Sequence, residues 1–185
     1  WPWSREKHIP SILAAKEHQM DALAFDIFFT ERQERKLEYD EVETIKDSVL
    51  TINEVKKLFP DPDIDLANAA ADAKNIYFGY IFFPQPSNKM PVKKRTEVKD
   101  VRLKILEKKK FFRKINPDDY ETINDFYDID PPVDELIESS KGTYFFQTVA
   151  EPDGISRRYP LVGKYEDRLF PNAGLALALD HYNVS

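Results

Sequence analysis

The sequence predicts a mixed α/β fold: a three-layer sandwich with a mostly parallel central sheet, an antiparallel edge hairpin and two polar helical insertions. Three observations carry this. Near-continuous apolar runs at residues 22–29, 76–83 and 143–150 read as strands covered on both faces. Helix candidates lie between them, and helices between buried parallel strands imply right-handed crossovers. After Ala150 the texture changes to a turn signal, Glu151-Pro-Asp-Gly154, followed by short strand candidates.

The elements follow in chain order. Ser4 is placed to cap a first helix with an apolar stripe of Ile9, Ile12, Leu13 and Met20, and Pro10 sets the start of its regular part. Asp65 is the expected cap of a short helix running to Ala73. Residues 132–140 form another, with Gly142 expected to end it. Residues 156–165 and 167–170 read as hairpin strands, and residues 171–179 close the chain as an apolar helix. Residues 32–59 and 84–131 are polar and look like insertions into one domain spanning 1–185.

Composition narrows the function. The 185 residues are 42% apolar and include 13 Phe and 9 Tyr, enough for a real core and against wholesale disorder. Charges sum to 27 − 33 = −6, which argues against general binding to polyanions. The longest uncharged stretch, residues 75–88, is 14 residues. A membrane-spanning helix needs about 18 or more. There is no cysteine, so disulfides, thiol catalysis and cysteine-bound metals are excluded. The chain starts at Trp1 without a methionine and reads as a piece of a longer protein whose targeting signals are not on view.

Charge is unevenly spread. Residues 89–114 hold 12 Lys/Arg against 3 acids, and residues 116–138 hold 9 acids and no base. The matching local sums, +9 and −9, favour mutual neutralisation over binding to nucleic acid or a membrane surface. Val98, Val101, Ile105 and Phe112 give the basic segment one apolar stripe.

Few residues carry chemistry. Asp61-Pro-Asp-Ile-Asp65 opens like a calcium loop, but its sixth position is Leu66 rather than glycine and its twelfth is Asp72, so a helix cap is the better reading. Asp26 is the one charge within the first strand pattern, near the carboxyl end, where open α/β sheets bind ligands. A buried carboxylate needs a partner, and Arg157 or Arg158, on opposite faces of a strand, is the expected one. His8, His18 and His181 share no metal spacing, and the 5 glycines form no phosphate-cradling loop. No catalytic residue, metal or cofactor is assigned.

Several pieces in order resemble a known family. Trp1-Pro-Trp-Ser-Arg5 opens the first helix, and Ala24-Phe-Asp-Ile-Phe-Phe29 follows as the first strand. Asp65-Leu-Ala-Asn-Ala69 precedes the second. Asp153-Gly-Ile-Ser-Arg-Arg158 leads into Tyr159-Pro-Leu161, and Leu169-Phe-Pro171 opens an apolar helix. Together these are similar to the second type of CHASE domain, the sensory extracellular domain associated with cyclases and histidine kinases. The two polar insertions depart from the pattern.

The resemblance implies an extracytoplasmic sensor, periplasmic or at the cell surface, tethered to the bacterial cytoplasmic membrane by segments outside these residues. An adenylate or guanylate cyclase is the expected output, with a histidine or Ser/Thr kinase as the alternative. An unknown small ligand or partner protein would be the signal, and a homodimer is one expected form. Asp26, Asp153, Arg157, Arg158, Trp1, Trp3 and Arg5 are the expected ligand-binding positions. A protein-interaction module without a small ligand is a second class of reading. A carboxylate-based α/β enzyme is a third, opposed by the missing glycine-rich loop and catalytic base.

Overall fold

The computed structural model describes residues 3–33, 51, 61–84, 92–116, 123, 125–148, 153–155 and 157–184, with backbone alone for 92–95. Trp1 and nearly all of the expected insertion at 32–59 fall outside these residues, as does half of the turn at 151–154.

The chain enters through a 3-10 turn, Arg5–His8, continuous with α1 (Ile9–Glu17). Pro10 sits in the first turn of α1, where its missing N–H leaves no bond unmade. Ile12 and Ala15 face the core, while Leu13 and Met20 are exposed, so only part of the expected stripe is apolar contact. β1 (Leu23–Phe28) follows, and then α2 (Pro62–Ala73). The cap of α2 is Asp61, not Asp65: its side chain accepts from the N–H groups of Asp63 and Ile64. Pro62 then occupies the position where proline favours a helix start.

The long second apolar run becomes two strands, β2 (Ile76–Gly79) and β3 (Ile81–Phe83), parted at Tyr80. After them come α3 (Val92–Lys108), β4 (Arg113–Lys114), β5 (Asp128–Asp130) and α4 (Asp134–Ser139). The third apolar run shortens to β6 (Gly142–Tyr144), followed by an isolated bridge of Phe145 to Asn172. Gly142 does not end α4, whose C-cap is Ser140; it opens β6, where a side chain would meet the Tyr77 ring at 2.6 Å. β7 (Val162–Tyr165) and β8 (Arg168–Pro171) form the expected hairpin. α5 (Ala173–His181) closes the chain, capped by Asn172 Oδ1 accepting from Leu175 N–H at 2.7 Å.

The described strands form three small sheets. β1, β2 and β6 are parallel in the order β1-β2-β6. β3 and β5 pair antiparallel, and β4, β8 and β7 form a separate antiparallel sheet. The mixed α/β class holds. The hairpin, however, pairs with β4 rather than extending the edge of the parallel sheet. Coverage of β1 on both faces also fails: Phe25 is buried, whereas Ala24 and Asp26 are exposed. The apolar run that suggested double coverage reflects one buried face and a strand end flanked by aromatic rings.

Two cores result. One lies between the parallel sheet and α1, α2 and α4, and contains Ile12, Phe25, Phe29, Leu66, Phe78 and Leu136. The other gathers Tyr80, Phe82, Leu103, Leu106, Phe126, Ile129 and Phe170 from β3, α3, β5 and the hairpin sheet. Phe82 and Phe126 stack at 4.3 Å there, and Gly163 on β7 makes the space, since a Cβ would stand 2.8 Å from the Phe82 ring.

The segment at 84–131 therefore builds a core. Its charges also meet as their sums suggested. Lys99 Nζ lies 2.9 Å from both Asp128 Oδ1 and the Tyr165 hydroxyl. The buried Arg102 donates to the carbonyls of Thr30 and Pro131 and faces Asp130 and Asp134.

Candidate functional site

The carboxyl end of the parallel sheet is the first place to look for a ligand. β1 carries a bulge there. Phe25 pairs with Phe78, but the next partner of Gly79 is Phe28, so Asp26 and Ile27 are left out of register. Bulges re-aim side chains, and Asp26 is turned to solvent. The Tyr144 hydroxyl reaches across from β6 and donates to the Phe25 carbonyl at 2.6 Å, which seats it beside the Asp26 backbone. The Tyr159 hydroxyl donates to the Phe145 carbonyl at 3.4 Å.

Burial raises the pKa of Tyr144, and the Asp26 charge raises it further; the same two causes raise Tyr159. Both phenols stay protonated at neutral pH, with their protons committed to backbone carbonyls. Their remaining lone pairs, like the Asp26 carboxylate, only accept. Phe28 and Phe146 stack at 4.7 Å beside this group, over Gly79, where a side chain would strike the Phe146 ring at 2.7 Å.

The other expected site residues divide into two places. Asp153 Oδ1 accepts from the Ile155 N–H at 3.0 Å, and Arg157 lies 2.7 Å from Asp153 Oδ2. These bonds, the Ile155 N–H first, hold the Asp153 carboxyl below its usual range. Arg157 is thus a partner within its own turn, and the expectation that Asp26 is buried is corrected: it is exposed. Arg158 is exposed, next to Tyr159 in the chain.

Arg5 sits elsewhere. Its Nε lies 2.7 Å from Asp63, its guanidinium donates to the Glu31 carbonyl, and it covers the Phe29 ring at 4.6 Å. Asp63 is fully enclosed and also accepts from the Gln33 N–H at 2.8 Å. Arg5 therefore fastens the N-terminal turn to α2 and the loop after β1. The first two aspartates of the calcium-like run serve as cap and ion-pair partner. Trp3, with its ring 6.3 Å from His8, is 62% exposed.

A family model described as the CHASE2 domain matches residues 1–184. The chain belongs to the CHASE2 family. CHASE2 domains are extracellular sensory domains of signalling receptors rather than catalytic ones. No curated protein and no solved structure matches this chain.

Sequence reasoning missed two members of the Asp26 group in this CHASE2 domain, Tyr144 and Tyr159. Tyr159 directly follows the paired arginines and was within reach of the motif. Tyr144 lies inside the third apolar run, and an apolar run does not say which ring ends in a useful hydroxyl. An open cleft of about 460 Å³ was also missed; Asp125, Phe126, Tyr127, Tyr165 and Glu166 line it with Pro84. It draws on three stretches that are far apart in the chain. Among the described residues no helix is long and apolar enough to cross a membrane.

Proposed function

We propose that this CHASE2 domain is the extracytoplasmic sensor of a transmembrane receptor whose cytoplasmic output is an adenylate or guanylate cyclase. A histidine or Ser/Thr kinase output is the alternative. The family match over residues 1–184 is the observation that carries the sensory reading. The domain works as a membrane-tethered homodimer and performs no chemistry; its ligand shifts a conformational equilibrium by binding the two states unequally. A coupling of about 1–3 kcal/mol suffices.

The ligand is read at Asp26, with Tyr144 and Tyr159 beside it and Asp153, Arg157 and Arg158 on the neighbouring turn. Because the first three offer only acceptors, the group they hold is a donor, an ammonium or amine. The arginines accommodate an acidic group on the same molecule. Arg5 acts at the N-terminal pole by holding the turn before α1 against α2 and the loop after β1.

A thermal-shift screen of the domain against amines, amino acids, inorganic anions and divalent cations tests this. At a hundredfold excess over Kd a ligand stabilises by about 2.7 kcal/mol, which raises Tm by roughly 5–10 °C for a chain of this size. The expected result is a hit among amines that Asp26→Asn abolishes while leaving the unliganded Tm within about 1 °C. A flat screen favours the second reading, a surface for a partner protein. The exposed Ile155, Tyr159 and Leu161 supply the apolar contacts that reading needs.

A further inference from the structure

We propose that His8 makes the seating of the N-terminal segment acid-sensitive: the segment docks with a neutral imidazole and loosens when that imidazole takes a proton. His8 ends the 3-10 turn Arg5–His8 and is buried. Its ring meets Phe25 at 5.7 Å and Phe29 at 5.4 Å, both near edge-on, and Trp3 at 6.3 Å. Nε2 is buried without a hydrogen-bond partner among the described residues.

An imidazolium has two donors and a charge to satisfy, and this cage of aromatic rings beside a cation gives the Nε2 donor no acceptor among the described residues. Among the described residues, its own turn contributes Arg5, a cation whose charge acts on His8, with Glu6 and Lys7 exposed, and α2, packed on that turn, contributes Asp63 as the partner of Arg5. Both Asp63 oxygens are already engaged, one by Arg5 and the other by the Gln33 N–H. β1 contributes Phe25, the residue after its end contributes Phe29, and α1, which continues from the turn, contributes Ile9 and Ile12 to the same core. One face of Phe29 is taken by the Arg5 guanidinium. Burial first, then the Arg5 charge, lower the His8 pKa from its usual 6.5.

The sign follows from linkage. A base whose docked pKa is depressed binds its proton more readily when released. Docking is therefore fully favoured above about pH 6.5 and weakens as pH falls below it, by up to about tenfold per pH unit until the docked pKa is reached. The segment at stake is the one Arg5 fastens to Asp63 and to the Glu31 carbonyl. This device needs no ligand at Asp26, so it stands or falls separately from the reading proposed above.

The chain's 2 tryptophans, Trp1 and Trp3, both precede His8, so their fluorescence reports on this segment alone. The experiment follows tryptophan emission and far-UV circular dichroism of the ligand-free chain from pH 7.5 to 5.0, in wild type and His8→Phe. The expected result is an emission transition in wild type, unchanged circular dichroism, and no transition in His8→Phe. The same transition in both proteins, none in wild type, or simultaneous loss of circular dichroism overturns the proposal. Should His8→Phe not fold, the proton NMR titration of the wild-type imidazole decides. A His8 midpoint below 6.5 supports the device, and one at or above 6.5 overturns it.

Discussion

The two cores are made from unlike sequence. The core under the parallel sheet uses segments that alternate strand and helix and are apolar in themselves: β1 and β2 supply Phe25 and Phe78, α1 and α2 supply Ile12 and Leu66. The other core is walled by α3, cut from the most basic stretch of the chain, and by β5, cut from the most acidic. Among the described side chains its helix contributes Leu103 and Leu106 as buried apolar groups, and aromatic rings from β3, β8 and the residues around them do the rest. Such a wall is stable because its charges turn inward onto each other, as Lys99 does onto Asp128 and Arg102 onto Asp130 and Asp134. A charge run that sums to nothing with a later run is a folding element, even when it reads as an appendage.

The sharpest way to break this comparison is to empty each core in turn. Phe78→Ala and Phe82→Ala each remove a fully buried ring, at 0% and 1% exposure. Each is expected to cost about 3–5 kcal/mol, read as a lower urea midpoint. The chain passes from β2 directly to β3 through Tyr80, whose N–H donates to the Tyr144 carbonyl at 2.9 Å. The cores share that strand, so both variants are expected to unfold in one transition. A Phe82→Ala protein that melts in two steps, the parallel sheet surviving the first, would make the charged half a separable unit.

Next in size are the inward charges. Lys99 and Asp128 side chains are 17% and 3% exposed, and Asp128 also accepts from the Ile129 N–H. Asp128→Ala takes the carboxylate away from a largely buried ammonium, at a cost of about 3 kcal/mol. Asp63→Ala is the counterpart beside the other core, stranding Arg5, with a similar cost. Equilibrium unfolding of the two variants compares them. A loss below about 1 kcal/mol for Asp128→Ala would place that pair with ordinary surface ion pairs and remove the argument for α3 as a core wall.

This contrast also explains what the sequence disclosed. β1, α2 and β2 were legible because an apolar run is a local signal, and so was the pairing of the basic and acidic segments, since it is a sum. The cap of α2 was placed at Asp65 instead of Asp61 because four aspartates fall within twelve residues and composition does not rank them. β4 and β5 were invisible because they are two and three residues long and take their partners from distant strands. Asp26 was expected to be buried because its neighbours are apolar. The bulge between Phe25 and Phe28 that turns it outward is a property of the pairing with β2. The Asp26 position was therefore readable, and its surroundings, Tyr144 and Tyr159, depended on tertiary contacts.

The smallest expected effect separates the cores by pH. His8 confers acid sensitivity beside the parallel sheet. In the charged half one sensitive group is Tyr165, pushed up to about 12 by burial first and then by the Glu166 carboxylate. The sign is opposite to that of His8. An acid whose folded pKa is raised holds its proton longer when folded, so its stabilisation is intact below the unfolded value of about 10 and is lost as pH rises towards 12. Tyr165→Phe removes the titration and the hydroxyl that Lys99 donates to. It is expected to cost about 1–2 kcal/mol at pH 7 and to flatten the decline between pH 10 and 12. Urea midpoints of wild type and variant at pH 7, 10 and 11.5 measure both parts. Curves that stay parallel through pH 11.5 would mean that Tyr165 ionises no later folded than unfolded, and that the hydroxyl is open to water at the cleft it lines rather than held against Lys99.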